Sequence, residues 1–421
     1  MALCPNWHEN PGALTTCRIC GLPLIDLRSE LSLLINSIKS RSILARPKSW
    51  NFLIGVGTVG SRILMSAKSL KIDQIAPRLT YLAIDTSKIG NVPVSDTEPL
   101  FILHLASGTI GESTFCGWGE LAAEQDTSLI ALIDNMGLRG KDENQSILVV
   151  LALGGGTASG VAPVLLKQTR LLNPACFIFV LSILPSADES IHTRINAYYG
   201  LSRLLRSGQN SLADGVIAVS YDRLKKLRGV GETGEELKTE EMIPGLFRLM
   251  ACGLTIPNAT KFGRLNRWMQ TQVMTPCLAL GRSLEIFGSL SNVLESCIAY
   301  PLCTISKDEV VVSELLLRIP KRLAKYFPDS LIAYELASFN RKHFPKLKST
   351  IYQVSYTDEQ HDRLDVCILL GGNDISGVIS DAKTGFNEFR LVFGDSKQLE
   401  MYGLTKEKVS AAEAALTFSH S

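Results

Sequence analysis

Short apolar runs that alternate with segments of helical period constrain this chain more than any other feature. From residue 50 onward the runs are NFLIG, YLAID, SILVVLALG, CFIFVLSIL and ADGVIAVS. Helical periods lie between them at Ser61–Leu70, Val161–Leu172 and His192–Leu205. Nearly continuous apolar strands of this kind are typical of a parallel sheet covered by helices on both faces. The pattern therefore predicts an α/β fold with a mostly parallel sheet, in which ligands bind at the carboxyl ends of the strands.

Composition narrows the class of protein. The chain has 421 residues, with 43 Lys and Arg against 41 Asp and Glu, so its formal charge is only +2. A charge this small gives no general attraction to nucleic acid or to an anionic membrane, although a local patch could still exist. We therefore do not expect nucleic acid as a partner unless a particular site argues for it. The longest apolar stretches are far shorter than the roughly 20 residues that span a bilayer. The first ten residues also lack the pattern of a secretion signal, so we expect a cytoplasmic protein with no membrane span.

Four residues near the amino terminus have the spacing of metal ligands. Cys4, His8, Cys17 and Cys20 form Cys-x3-His-x8-Cys-x2-Cys, the ligand set that tetrahedral Zn²⁺ prefers. The segment resembles the small zinc ribbons at the ends of many prokaryotic chains. Four protein ligands leave no open coordination position, so the expected zinc at residues 1–24 is structural. Residues 25–48 are either a linker helix or a first helix packed on the main domain.

The first glycine loop follows the first predicted strand. GVGTVGS at Gly55–Ser61 satisfies G-x-G-x-x-G between a strand and a helix, and Asp85 ends the next predicted strand. By itself this arrangement is typical of a dinucleotide-binding fold. The same glycines could instead serve only to close a tight turn between the strand and the helix.

A second glycine loop, GGGTASG at Gly154–Gly160, changes that interpretation. Its glycines let backbone N–H groups converge on phosphate oxygens, Thr157 and Ser159 add hydroxyls, and the following helix contributes the positive end of its dipole. A nicotinamide-binding fold does not predict a second phosphate cradle in mid-chain. Val161 stands where the lysine of the Walker pattern would be. The two loops together favour a nucleoside triphosphate held from two sides.

The ordered blocks around these loops resemble the tubulin/FtsZ family of filament-forming GTPases. GGGTASG followed by APVLL is similar to that family's glycine-rich signature, and AIDTS, LPSADES, RINAYYGLSRLL and ADGVIAVSYDRLKKL follow in the family's order. The resemblance covers roughly residues 50–395. It implies a nucleotide-binding domain at 49–235, a central helix at 236–257, a smaller α/β activation-type domain at 258–395 and a terminal helix or tail at 396–421.

Strand and helix patterns in the second half fit that organisation. Val310–Ile319, Thr350–Tyr356 and Arg363–Leu370 have strand patterns, and Lys397–Phe418 has the pattern of an amphipathic helix. In the central helix, Pro244 predicts a kink unless the helix begins there.

The resemblance also implies the positions that contact the nucleotide. Those for the phosphates are Gly57, Thr58, Gly60, Gly154, Gly155, Gly156, Thr157 and Gly160. Glu189 corresponds to the ribose-binding acid, although a solvated loop carboxylate is the alternative. Asp85 either pairs with Mg²⁺ through water or caps the following turn. The approximate base-reading positions are Ser61 or Arg62, Tyr221 with Asp222, and the acidic stretch at 234–241, where a solvated helix start is the alternative. GTP or GDP follows from the resemblance alone.

The segment Ile256–Met269, IPNATKFGRLNRWM, corresponds to the family's hydrolytic loop and contains no acid. In the family, acidic residues after the central helix act on the nucleotide of the neighbouring subunit. Here no Asp or Glu lies between Glu241 and Glu285. One alignment register puts Thr260 and Gly263 at the acidic positions, and the other puts Lys261 and Arg264 there. A basic residue can bind phosphate but cannot act as the carboxylate base. We therefore expect weak or absent self-stimulated hydrolysis, unless an acid reaches the site from another loop or from a related tubulin-like subunit.

Two functions of different class follow from these observations. The favoured hypothesis is a GTP-binding protein that assembles head-to-tail into filaments, because a heterologous contact propagates into an open polymer. The alternative is a non-polymerising nucleotide-dependent switch or adaptor that binds a protein partner through its zinc ribbon. A nicotinamide-dependent oxidoreductase leaves the second glycine loop unexplained and offers no suitable acid-base pair.

Overall fold

A computed structural model of the protein describes the greater part of the chain, at residues 2–3, 9–10, 18, 51–69, 79–86, 100–105, 114–133, 145–205, 212–231, 234–254, 263–264, 266, 273–358, 361–372 and 396–417. The strands are β1 Ala2–Leu3, β2 Glu9–Asn10, β3 Asn51–Val56, β4 Leu79–Asp85, β5 Leu100–His104, β6 Ser146–Ala152, β7 Phe177–Leu184, β8 Gly215–Ser220, β9 Gly229–Val230, β10 Glu236–Leu237, β11 Val273–Ser283, β12 Val310–Pro320, β13 Ser349–Thr357 and β14 Arg363–Gly372.

The helices cover both faces of a large sheet. They are α1 Gly57–Ser69, α2 Cys116–Gln125, α3 Thr127–Ile133, α4 Gly156–Leu172, α5 Ile191–Leu204, α6 Tyr221–Leu224, α7 Thr239–Leu254, α8 Leu284–Phe287, α9 Leu290–Ile298, α10 Asp329–His343, α11 Ser396–Met401 and α12 Lys406–Thr417, with short 3₁₀ turns at Lys307–Glu309 and Lys321–Tyr326. Within the described ranges, none of the helices is long and apolar enough to cross a lipid bilayer.

Among the described residues, ten strands form one sheet in the order β13-β12-β14-β11-β8-β7-β6-β3-β4-β5. From β8 to β5 all neighbours are parallel, as the apolar runs predict. The second part of the sheet is mixed, because β14 is antiparallel to both β11 and β12. The two parts join through β8 and β11, which pair at Val273 with Val216 and at Met274 with Ile217. A mostly parallel α/β fold therefore extends across both halves of the chain.

Both faces of the parallel part are buried. Along β6, Val149 contributes to a core shared with α4, α5 and α12, whereas Val150 contributes to a core shared with α1 and α7. A third core lies under α9 and α10 in the second part of the sheet. Burial on both faces explains why these strands appear in the sequence as continuous apolar runs rather than as alternating ones.

The predicted strands match the structure closely, but two helices begin earlier than expected. α1 begins at Gly57 and α4 at Gly156, inside the two glycine loops rather than after them. Glycine tolerates the close approach and the unusual backbone angles that an immediate turn from strand to helix demands. As a result, N–H groups of the loops belong to the first turns of the helices.

The central helix is shorter at its start than the predicted 236–257. Glu236 and Leu237 pair with β9 instead, and α7 begins at Thr239. Glu241 accepts a hydrogen bond from the backbone N–H of Lys238 at 2.7 Å. This hydrogen bond caps the amino-terminal end of α7. Pro244 lies inside the helix and not at its first position.

Buried charges connect α7 to the second part of the sheet. The Asp365 carboxylate lies 3.0 Å from Arg248 of α7 and 2.9 Å from Arg318 of β12. It also accepts the backbone N–H of Gly281 in β11 at 2.9 Å. The relative exposure of these side chains is 9% or less, so one carboxylate links three elements inside the protein.

Helices α11 and α12 return to the parallel part of the sheet, where they pack near α2 and α5. The predicted single helix at 397–418 is divided here at Gly403, whose φ of +66° suits glycine. Trp118 donates its indole N–H to the Met401 carbonyl at 3.0 Å, and Lys408 lies 3.2 Å from the buried Glu120. The last described helices therefore complete a core that begins at β3.

Candidate functional site

The two glycine loops lie side by side at the carboxyl edge of the sheet. They follow β3 and β6, which are neighbouring parallel strands with Val56 opposite Leu151. A Cβ on Gly57 would lie 3.3 Å from Cβ of Ala158, so the loops touch each other. The structure thus brings together two segments that are about a hundred residues apart in the sequence.

Several of these glycines are needed because backbone atoms approach them. A Cβ on Gly60 would lie 2.4 Å from the Val150 carbonyl oxygen, and one on Gly160 would lie 2.2 Å from that of Cys116. Gly57 has φ +73°, in the left-handed region that favours glycine. The buried Gly60 lets α1 pack closely on β6, and the buried Gly160 lets α4 pack closely on α2. This is a structural reason for two of the expected phosphate-contacting positions.

The second loop leaves room where a ligand would approach. Gly155 is exposed, and apart from its immediate chain neighbours no atom of the described residues lies within 4 Å of where its Cβ would be. It is the N-cap of α4 and brings no capping side chain. The first N–H groups of a helix have no acceptor within the helix, and together with the helix dipole they attract anions. This end of α4 therefore has the chemistry of a phosphate cradle.

Side-chain hydroxyls tie the two loops to the end of β4. The Thr58 hydroxyl donates to the buried Asp85 carboxylate at 2.9 Å, and the hydroxyls of Thr86 and Thr157 are hydrogen-bonded at 2.5 Å. The Ser159 hydroxyl instead donates to the Leu153 carbonyl, deep inside the protein. Of the two hydroxyls expected to face a ligand, that of Ser159 faces the loop's own backbone.

The loop between β7 and α5 is braced by two carboxylates. The exposed Glu189 accepts the Ser186 backbone N–H at 3.0 Å. Asp222 of α6 accepts the Ser186 hydroxyl and, at 2.9 Å, the Ala187 backbone N–H. Partial burial would raise the pKa of Asp222, but these hydrogen bonds and nearby Lys225 outweigh burial and lower it. Asp222 is therefore hydrogen-bonded to the loop between β7 and α5, whereas Glu189 lies at the surface.

The other positions expected to read the base have different environments. Ser61 is buried, and its hydroxyl has no hydrogen-bond partner among the residues that the structure describes. Arg62 is exposed, and Tyr221 is partly buried with Lys225 Nζ 5.0 Å from its ring centroid. In the acidic stretch, the exposed Glu236 pairs with Arg228 at 2.6 Å. The stretch lies on β10 and the first turn of α7.

Sequence reasoning missed Asn196 on the buried side of α5. Its amide donates to the carbonyls of Thr114 and Gly154 at 2.7 and 3.0 Å, and its oxygen accepts the Cys116 N–H at 3.0 Å. The available signal was a single Asn among the mainly apolar positions of the helix, Ile195–Leu201. The segment Thr114–Cys116, which also borders Gly156, was not predicted as part of the site.

The described residues of the segment Ile256–Met269, which are Gly263, Arg264 and Asn266, lie at the opposite edge of the sheet. A Cβ on Gly263 would lie 2.2 Å from Phe177, the first residue of β7, and Asn266 approaches Gly215, the first residue of β8. Arg264 is exposed there. In parallel strands the amino ends and carboxyl ends lie at opposite edges, so Arg264 is far from the glycine loops of its own chain. Lys261 and Thr260 fall outside the described residues.

The expected zinc ligands Cys4, His8, Cys17 and Cys20 are also outside the described residues. Among the residues with described positions, there is no group of three or more His, Cys, Asp or Glu that could hold a metal ion. The other seven cysteines are all buried, in the way that Cys packs as a small apolar side chain.

Comparisons with known proteins agree with this geometry. Residues 52–229 match the family described as "Tubulin/FtsZ family, GTPase domain". The chain is 30% identical over 187 residues to the tubulin-like protein CetZ2 of Haloferax volcanii, covering 44% of this chain and 48% of that protein. It is 24% identical over 217 residues to cell division protein FtsZ 1 of Pyrococcus woesei, covering 52% of each.

Solved structures show the same fold. The Haloferax volcanii CetZ2 structure, a protofilament with GTPγS bound, is similar with a TM-score of 0.61 at 19% identity, covering 80% of this chain and 98% of that chain. The chain thus spans about half the length of the curated relatives that it matches by sequence, while the likeness in fold extends further.

Proposed function

We propose that this chain, whose residues 52–229 match the family described as "Tubulin/FtsZ family, GTPase domain", binds GTP or GDP and assembles head-to-tail into filaments. The observation that carries the proposal is the contact between the two glycine loops at one edge of the sheet. A lone glycine loop is common to many folds, whereas two adjacent loops can hold a chain of phosphates from two sides.

The proposed site residues are those that the sequence indicates. The phosphates would be held by Gly57 and Thr58 of the first loop and by Gly154, Gly155, Gly156 and Thr157 of the second. Gly60 and Gly160 would act by letting α1 pack closely on β6 and α4 on α2. Glu189 would accept ribose hydroxyls, and Ser61 and Tyr221 would lie nearer the base. Asp85, a buried carboxylate held by Thr58, has suitable chemistry for Mg²⁺ through water, and Mg²⁺ would neutralise phosphate charge when bound.

A second part of the proposal concerns hydrolysis. Arg264 lies at the edge opposite the glycine loops, so this segment could reach only the nucleotide of a neighbouring subunit. A head-to-tail contact would place it there. Because the segment from 242 to 284 contains no Asp or Glu, it offers no carboxylate to orient water. We therefore propose nucleotide binding with weak self-stimulated hydrolysis, or hydrolysis that depends on a related acid-bearing subunit.

The test combines nucleotide extraction with turnover and pelleting. Nucleotide released from the purified protein is identified by chromatography, and GTP turnover and sedimentation are measured over a concentration series. Bound guanine nucleotide, GTP-dependent pelleting and negligible turnover would support the proposal. Turnover that rises with concentration would contradict the proposed weak hydrolysis, and a protein that binds no guanine nucleotide would overturn the site.

Restoring acids gives a sharper version of this test. The double substitution Lys261→Asp and Arg264→Asp places two carboxylates in one of the two registers, and it should raise concentration-dependent turnover. The matched control is Lys321→Asp with Lys325→Asp, because both lysines lie in the 3₁₀ turn Lys321–Tyr326. That turn follows the end of β12, whereas the start of β12 is level with the amino edge of the parallel strands. Equal turnover in the two double variants would count against the proposed role of the loop.

The alternative function is a nucleotide-dependent switch or adaptor that does not polymerise. The acid-free segment favours it, because a switch can keep the pocket after losing hydrolysis. Guanine nucleotide binding without pelleting at any concentration would support this alternative.

We further propose that Cys4, His8, Cys17 and Cys20 hold one structural Zn²⁺ and that this ribbon recruits a protein partner. Their spacing supports the proposal. Metal analysis of the purified chain should give one zinc per chain, and the substitution of Cys17 and Cys20 by Ser should remove it. Retention of zinc by that variant would overturn the assignment. A cytoplasmic location remains part of the same proposal.

A further inference from the structure

Asn196 is a buried side chain whose three hydrogen bonds all join it to backbone groups of other elements. Its relative exposure is 1%. Both amide hydrogens are used, by the Thr114 and Gly154 carbonyls, and the amide oxygen accepts the Cys116 N–H. An Asn side chain has two donors and one acceptor atom, so this residue is nearly saturated. All three of its partners are backbone groups, which cannot rotate away as side chains can.

The partners of Asn196 belong to the two walls of the phosphate cradle. Gly154 is the first residue of the second glycine loop. The segment Thr114–Cys116 forms the facing wall, because a Cβ on Gly156 would lie 2.5 Å from the Phe115 nitrogen. One side chain thus joins the beginning of the loop to the segment against which the loop packs.

We propose that Asn196 is a positioning residue for phosphate binding, and this inference rests on the proposed nucleotide-binding function. By holding the Gly154 carbonyl towards the protein interior, Asn196 fixes the conformation from which the first turn of α4 presents its N–H groups. It acts through Gly154 and the segment Thr114–Cys116 and does not itself touch the nucleotide. A preorganised donor set binds an anion more tightly because less ordering remains to be done on binding.

Asparagine is the side chain that suits this position. Aspartate has nearly the same shape but no N–H donors, so its carboxylate would face the carbonyl oxygens of Thr114 and Gly154. Alanine would leave both carbonyls and the Cys116 N–H without these partners inside the protein. Either change should loosen the loop even where the overall fold survives.

The chain contains a matched control at the opposite edge of the sheet. Asn173 has a relative exposure of 0% and also makes three side-chain hydrogen bonds. Its amide donates to Gln145 at 2.7 Å, and its oxygen accepts the N–H groups of Ala175 and Cys176, each at 3.1 Å. Asn173 follows α4, next to the amino end of β7. Asn173→Ala therefore removes a comparable set of hydrogen bonds without touching the cradle.

The experiment measures the affinity of a fluorescent GTP analogue and the thermal unfolding of the nucleotide-free protein for both alanine variants. We expect similar losses of thermal stability. We expect Asn196→Ala and Asn196→Asp to bind the analogue roughly tenfold more weakly or worse, and Asn173→Ala to bind within about twofold of the wild type. Equal affinity of Asn196→Ala and the wild type would overturn the inference, as would equal weakening by the two alanine variants.

Hydrogen exchange of the wild-type protein tests the inference if the Asn196 variants do not fold. Added GTP should slow exchange in peptides that contain Cys116, whose N–H is bonded to Asn196, and leave peptides that contain Ala175 and Cys176 unchanged. No slowing at Cys116 in protein that binds the analogue would contradict the positioning role. A wild type that does not bind the analogue would instead contradict the proposed function.

Discussion

The two parts of the sheet place their polar groups in different locations. In the parallel part, β3, β6 and β7 are apolar along most of their length, and the polar side chains gather where the strands end, at Thr58, Asp85 and Thr157. In the second part, Glu314, Arg318 and Asp365 lie within strands and are buried. A polar group at a strand end can meet a ligand, whereas one in the middle of a covered strand can meet only its own protein.

Buried polar groups therefore have different roles in the two parts of the sheet. At the carboxyl edge, hydrogen bonds hold loops in the shape that the proposed ligand needs. In the second part, the Asp365 network holds α7 against three strands, and its charges are satisfied internally. Changes at the first location should alter binding more than stability, and changes at the second should do the reverse.

The largest effect should come from Asp365→Ala. The substitution leaves Arg248 and Arg318 buried without this carboxylate, and removal of one partner from a buried ion network typically costs about 3–5 kcal/mol. Urea unfolding should show that loss, while the folded fraction keeps its affinity for GTP. Asp358→Ala is the control, because the Asp358 side chain is 83% exposed and pairs with Lys321 at the surface. A loss below about 1 kcal/mol at Asp365 would contradict the comparison.

Glu314→Gln should change how stability depends on pH. Burial raises the pKa of Glu314 from 4.5 to about 8, although a hydrogen bond from Gln353 opposes the shift. The folded state then holds a proton that the unfolded state releases between about pH 4.5 and pH 8, so the free energy of unfolding should fall as pH rises through that window. The slope can reach about 1.4 kcal/mol per pH unit.

In the Gln variant, this fall of the free energy of unfolding with pH should be absent. The variant should therefore be more stable than the wild type near pH 8. Urea unfolding at pH 5, 6.5 and 8 measures the difference. Glu236→Gln, at a surface ion pair, serves as the control and should not flatten the profile. Parallel profiles for Glu314→Gln and the wild type would show that burial of this carboxyl has no consequence for folding.

Gly155→Ala should weaken GTP binding and leave stability nearly unchanged, which is the opposite of the effect expected for Asp365→Ala. Gly155 has φ −84° and ψ 143°, which alanine also adopts, and its Cβ would point into open space. We expect the free energy of unfolding to change by about 0.5 kcal/mol or less. GTP affinity should fall about tenfold, roughly 1.4 kcal/mol, because the methyl group occupies the approach to the cradle. Unchanged affinity, measured by fluorescence titration, would mean that the ligand does not approach Gly155.

Tyr402→Phe should have the smallest effect. It removes the hydrogen bond between the Tyr402 hydroxyl and Nδ1 of His192 but keeps the ring, which packs 4.9 Å from that of Phe115. We expect a loss of about 1 kcal/mol, seen as faster hydrogen exchange in residues 396–417. Tyr334→Phe, at a side chain that is 67% exposed, should leave that exchange unchanged.

Much of the fold could be predicted because its signals are local. The apolar runs of β3, β6, β7 and β8 and the strand patterns of β12, β13 and β14 are each contained within about ten residues, and the glycine loops follow two of them directly. Because the strands are parallel, the loops that follow them lie at one edge of the sheet, and no further sequence signal is needed to predict this. The predicted contacts with nucleotide remain predictions.

The remaining features depend on contacts between distant residues. Asn196 meets Thr114 and Gly154 only because α5, the segment before α2 and the loop after β6 converge, and no local pattern encodes that convergence. The Ser159 hydroxyl looks equivalent to that of Thr157 in the sequence, yet helix geometry turns it towards Leu153. The split of the terminal helix follows from the close approach of Gly403 to Gly117 and Trp118.

The position of α11 and α12 has a consequence for protein synthesis. Leu399, Tyr402, Leu404 and Leu416 belong to the same core as Ile54 of β3, although the whole second part of the sheet lies between them in the chain. During translation, the first part of the sheet leaves the ribosome long before the residues that pack on α2 and α5. A chain interrupted after β14 would therefore leave the sides of α2 and α5 on which α11 and α12 pack uncovered, so interrupted chains should aggregate or be recognised by chaperones even when both parts of the sheet have been made.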